Sequence, residues 1–116
     1  MKRVNILGST YKVYLNVPYN KDPSLNGLFG YTSFHDKKIV VAAVRTIPGW
    51  EEAEEAAAED TFACTLRHEL IHAYLMESGL NGSANSTDCW ARNEEMVDWF
   101  ALQMPKLIKT FQELGV

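Results

Sequence analysis

Two histidines four residues apart, with a glutamate directly after the first, are the groups of this chain best placed to do chemistry: His68-Glu69-Leu70-Ile71-His72. On a helix, residues four apart share a face, so both imidazoles can grip one metal ion. Glu69 leaves the same helix about 100° further round, beside the metal's open position rather than on it. A carboxylate there can take a proton from a metal-bound water, whose pKa Zn²⁺ lowers to roughly 7. The pattern therefore points to zinc-dependent hydrolysis of peptide bonds, with Glu69 as general base. H-E-x-x-H fixes only three positions, however, and also arises by chance on surface helices. The surroundings favour the metal, because Phe62, Leu66, Leu70, Ile71, Ala73, Tyr74 and Leu75 make the helix mostly buried. Left unpaired there, each neutral polar group would cost on the order of 1–3 kcal/mol, and a charge more.

Catalytic zinc usually takes three protein ligands and keeps a fourth position for water. Acidic candidates after His72 are Glu77, Asp88, Glu94, Glu95, Asp98 and Glu113. Glu77 is expected to point elsewhere into solvent, and Glu113 lies near the tail. Glu94 and Asp98 are four apart and share a helix face. Glu94 can bind the metal while Asp98 accepts the outer N–H of a metal-bound histidine, which fixes tautomer and ring orientation. Glu95, rotated about 100° from Glu94, is the weaker candidate. The alternative for both Glu94 and Asp98 is an exposed acidic stripe.

A peptidase also needs a group to steady the oxyanion on the scissile carbonyl. Candidates for that or for substrate contact are His35, in an expected turn, and Tyr74, with Tyr31 and Tyr19 as further hydroxyls. Trp50, Trp90 and Trp99 could line a groove, although tryptophans near helix starts mostly close cores. Cys64 and Cys89 allow a rival site. With His68 and His72 they could close a Cys₂His₂ structural zinc centre with no open position. That rival gives Glu69, Glu94 and Asp98 no work. In a milder form, Cys89 caps an otherwise catalytic zinc.

The elements that must carry these groups are legible in outline. Residues 4–7 and 11–17 read as a hairpin turning at 8–10, followed by a breaker-rich loop over 18–27. Residues 28–34 and 39–44 read as a second hairpin around His35-Asp36-Lys37-Lys38. Residues 51–78 read as one long helix with an acidic start and Gly79 just past its end. After a polar loop at 81–87, a second helix is expected from Asp88 to Met104, ended by Pro105, with a short tail helix over 106–114. The fold class is α+β: a small antiparallel sheet, then the H-E-x-x-H helix and a glutamate helix, in a single domain over 1–116. If the 39–44 strand is the sheet edge beside the metal helix, an extended peptide can pair with it.

Composition sets bounds on partners. With 116 residues, 47% hydrophobic and net charge −4, the chain is ordinary globular material with no basic run suited to nucleic acid. No apolar stretch near Met1 reads as a signal or membrane anchor, so a cytoplasmic address with reduced cysteines is expected.

His68-Glu69-Leu70-Ile71-His72, together with Glu94-x-x-x-Asp98-x-Phe100-Ala101 and Met104-Pro105, resembles the ImmA/IrrE-type zinc metallopeptidases. These are gluzincin-like proteins of phages, prophages and mobile elements. The likeness spans residues 62–105 and departs at Val97, where a small alanine is usual, and at the opening strands, where members often begin with a helix. It implies a minimal zincin-like fold and Zn²⁺ on His68, His72 and Glu94, with Glu69 as base. It also implies a protein or peptide substrate, such as a regulatory protein or repressor. The reading from another class is a non-catalytic, zinc-stabilised phage interaction protein built on the closed Cys₂His₂ site.

Overall fold

The computed structural model describes residues 1–80 and 89–116. It is α+β: strands β1 (Lys2–Ile6), β2 (Ser9–Val17), β3 (Gly30–Ser33) and β4 (Lys38–Ala42), then helices α1 (Glu55–Glu77) and α2 (Glu94–Leu114). The loop expected over 81–87, and Asp88, lie outside the described residues.

The sheet is mixed rather than antiparallel, in the order β1-β2-β4-β3. β1 and β2 form the first hairpin, but the two-residue turn is Leu7-Gly8, both with positive φ, so Ser9 and Thr10 already belong to β2. After Val17 the chain does not fold straight back. Pro18 and the breakers that follow carry it through short 3₁₀ turns at Tyr19–Lys21 and Pro23–Leu25 to the far edge of the sheet. There β3 starts, turns, and sends β4 into the gap, antiparallel to β3 and parallel to β2. A parallel neighbour needs such a long crossover, and this loop supplies it. Hence β4 is central, not the edge strand, and β3 is the edge. The sequence carries the reason: Ile39, Val40, Val41 and Ala42 are all buried, because a strand covered on both faces is apolar without alternation.

The two faces of β4 feed two clusters. Ile39 and Val41 join Ile6, Tyr11, Val13 and Ala73 beneath α1, with Phe62, Leu66 and Leu70 packed against them. Val40 and Ala42 join Leu25 and Ile47 on the opposite face, closed by Phe29, Tyr31 and Trp50. Trp50 meets Phe29 edge to face at 5.3 Å, so it closes a core, whereas Trp90 and Trp99 are exposed.

α1 starts four residues later than expected, because Pro48-Gly49 and a side-chain bond from Gly49 N–H to Glu51 Oε2 hold the preceding segment in a turn. Its far end is a Schellman cap: Gly79 at φ 91°, Gly79 N–H to Met76 O and Leu80 N–H to Leu75 O. Glu77, expected in solvent, is instead held by Ser9 Oγ and Tyr11 Oη, both donating at 2.9 Å, and by an ion pair with Lys37. It ties the end of α1 to β2 and to the turn between β3 and β4.

α2 begins at Glu94, not Asp88, because the Asn93 side chain caps it by accepting from Met96 N–H at 2.8 Å. A 3₁₀ turn at Trp90–Arg92 precedes it. Pro105 does not end it: one helix runs through to Leu114. Proline cannot supply the N–H that Ala101 O would otherwise accept. Arg67 Nε on α1 donates to that oxygen at 2.6 Å, so the defect becomes a cross-link between the helices.

Two measurements check these locks. Arg67→Met should lower stability to urea by on the order of 1–3 kcal/mol, and by clearly less in a Pro105→Ala background, where alanine restores the missing donor. The Lys37 ion pair, aided by Ser9 and Tyr11, holds the Glu77 carboxyl below the ordinary carboxylate range. A depressed folded-state pKa means stability that is present above the unfolded value, about 4.3, and is lost as pH falls through the folded one. Glu77→Gln should therefore melt below wild type at pH 7, and the two melting curves should converge as pH drops toward 3.

Candidate metal centre

α1 forms the floor of an open cleft of about 650 Å³. One wall is the segment Gly27–Thr32 with edge strand β3, and the other is the start of α2 with Arg92, Glu94 and Asp98. Cys64, Thr65, His68, Glu69, His72 and Met76 line the floor at one-turn intervals along α1.

His68 and His72 project toward α2. His72 Nδ1 lies 2.6 Å from Ala91 O. A carbonyl only accepts, so this nitrogen carries the hydrogen and Nε2 carries the lone pair. His68 Nδ1 lies 2.6 Å from Asp98 Oδ1, which assigns the same tautomer. The two Nε2 atoms then face each other at 3.0 Å. Glu94 completes a triangle, with Oε1 2.9 Å from His72 Nε2 and Oε2 3.1 Å from His68 Nε2. These separations are slightly below the roughly 3.3 Å between donors bound tetrahedrally at 2.0–2.1 Å, so the donor set fits a small divalent ion with little movement. Two imidazoles and a carboxylate suit zinc and also admit other first-row metals. Among the described residues this is the group able to hold a metal, and neither Cys64 nor Cys89, both free thiols, belongs to it.

Glu69 turns the other way, against the sheet. It is 6% exposed, with Oε2 2.7 Å from Thr32 Oγ1 and Oε1 4.0 Å from His68 Nε2. Burial pushes its carboxyl above the ordinary carboxylate range, with the Thr32 hydrogen bond and the neighbouring His68 and His72 opposing. Glu94 differs sharply, its side chain 66% exposed at the cleft rim. Glu95 is exposed outside the triangle.

His35 is exposed in the turn between β3 and β4 and does not line the cleft. Tyr74, two residues past His72, leaves α1 about 200° round from it and is 47% exposed. Tyr31 does line the cleft, but its hydroxyl donates to Asp22 Oδ2 at 2.7 Å. Tyr19 Oη accepts from Gly27 N–H at 2.7 Å. Several lining residues carry no sequence signal, Thr32 and Arg92 among them. Thr32 sits in an ordinary strand, and Arg92 precedes the helix in a 3₁₀ turn. Only the placement of β3 at the edge, opposite Glu69, reveals the first. The chain matches no known family model, curated protein or solved structure, so the chemistry of the site is read from its geometry.

Metal binding has a direct check. Zinc titrated into metal-free protein should bind one ion per chain and raise the melting temperature. Glu94→Ala should abolish tight binding, while Asp98→Ala should weaken it by about 10–100-fold, as loss of an outer partner does.

Proposed function

We propose that this chain is a zinc-dependent metallopeptidase of the ImmA/IrrE kind. The observation that carries the reading is the convergence of His68 Nε2, His72 Nε2 and Glu94 within 2.9–3.1 Å, beside the buried Glu69 on the floor of an open cleft. Zinc, when bound, would polarise the scissile carbonyl and acidify water. Glu69 Oε1 faces the triangle and accepts the proton of the attacking water, then returns it to the leaving amine. Asp98 and Ala91 O keep both Nε2 lone pairs directed at the ion.

The substrate is a protein or peptide in extended form. β3, not β4, offers it a free strand edge, since β3 pairs on one side only and borders the cleft. A regulatory protein such as a repressor is the substrate class that the resemblance suggests. Among the described residues no helix is long and apolar enough to cross a membrane. A cytoplasmic setting, with phage or prophage origin, belongs to this same proposal.

Glu69→Gln tests the mechanism, because it keeps the shape of the side chain and removes the base. Peptide cleavage should fall by 10²-fold or more on the scale typical of general bases. Metal content by mass spectrometry and the melting temperature should stay near wild type. Cleavage at the wild-type rate by this variant would refute the assignment.

A further inference from the structure

β3 approaches α1 closely at Glu69. A Cβ added at Gly30 would stand 2.9 Å from Thr65 Cγ2 and 2.8 Å from the Val40 carbonyl oxygen, so glycine there is what lets strand and helix meet. Two residues on, Thr32 shares that strand face and pairs with Ile39 of the core beneath α1. Its hydroxyl donates to Glu69 Oε2 at 2.7 Å and stands 2.9 Å from the main-chain oxygen of the same residue. The main-chain oxygen is fixed by the helix and gives the hydroxyl a stationary reference beside the carboxyl.

From this contact, and resting on the peptidase reading above, we infer that Thr32 is a positioning residue for Glu69. The glutamate side chain has three rotatable bonds and stands one residue from a metal ligand. Released, it could swing onto the ion and fill the position that the reaction needs open. Thr32 holds Oε2 on the sheet side and leaves Oε1 turned toward the triangle, 4.0 Å from His68 Nε2, while Glu69 stays outside the His68, His72 and Glu94 cluster. The edge strand that borders the cleft therefore also sets the base.

The test uses Thr32→Val, which keeps shape and β-branching, and Thr32→Ser, which keeps the hydroxyl. With zinc-loaded protein and fluorescein-labelled casein, Thr32→Val should lower kcat by roughly 10–100-fold with KM near wild type, and Thr32→Ser should recover most of the loss. In metal-free protein, urea unfolding of Thr32→Val, Glu69→Ala and the double variant should give a non-additive cycle. Wild-type kcat in Thr32→Val, or equal losses in the valine and serine variants, would overturn the role. Additive unfolding losses would overturn the contact itself. A wild type inert toward casein, with a coupled unfolding cycle, would count against the peptidase reading while leaving the Thr32–Glu69 contact standing.

Discussion

Three acceptor atoms with converging lone pairs repel one another unless a cation stands among them. His68 Nε2, His72 Nε2 and the Glu94 carboxylate are such a set, because the hydrogens of both rings are committed on the far side, to Asp98 and to Ala91 O. Two of the atoms come from α1 and the third from the first residue of α2, so the packing of two helices decides whether they meet. Much else in the C-terminal half serves that packing. Val97 and Ala101, fully buried, bring the helices close, and Arg67 fastens α2 where Pro105 has freed a carbonyl. Asn93 fixes where α2 begins, and hence which glutamate stands nearest the histidines.

The same helix separates two carboxylates into two environments. Adjacent residues leave a helix about 100° apart, so His68 faces α2 and Glu69 faces the sheet. Glu69 is desolvated and tied to an edge strand, whereas Glu94 stands in water at the rim. Where environments differ this much, the two groups suit different work, a proton acceptor in one case and an anionic ligand in the other.

How much of this the sequence disclosed depended on whether the signal was local. The i, i+4 spacings of His68/His72 and Glu94/Asp98 are properties of one helix each, and Gly79 ends α1 by a purely local motif, so all were readable. The order of the sheet was not, because it depends on where a chain leaving Val17 lands. The unbroken apolar run at 39–42 does mark a central strand, and it is the feature that could have prevented the edge assignment. Pro105 misled for a related reason. Its usual penalty assumes that nothing else satisfies the carbonyl one turn earlier, and the group that does so lies 34 residues away in sequence. Glu77 is the same case in reverse: an acid at a helix C-terminus looks solvated until Lys37, Ser9 and Tyr11 arrive from the sheet.

These non-local contacts show how so short a chain can hold a demanding site. α1 supplies the floor of the cleft, both histidines and Glu69, so only two other elements need placing, and both are placed against α1 itself. β3 is set by the absent side chain of Gly30 and the hydroxyl of Thr32, and α2 by Arg67, by Asp98 and by the turn that presents Ala91 O. None of these contacts relies on a large core, which 116 residues could not provide. Thr32, Arg67 and the Ala91 carbonyl use polar groups that are costly to leave unpaired, whereas Gly30 acts by the room it leaves and Asp98, 61% exposed, by orienting His68. Precision at the His68, His72 and Glu94 triangle therefore follows from polar contacts that depend sharply on distance, added to the apolar packing of Val97 and Ala101.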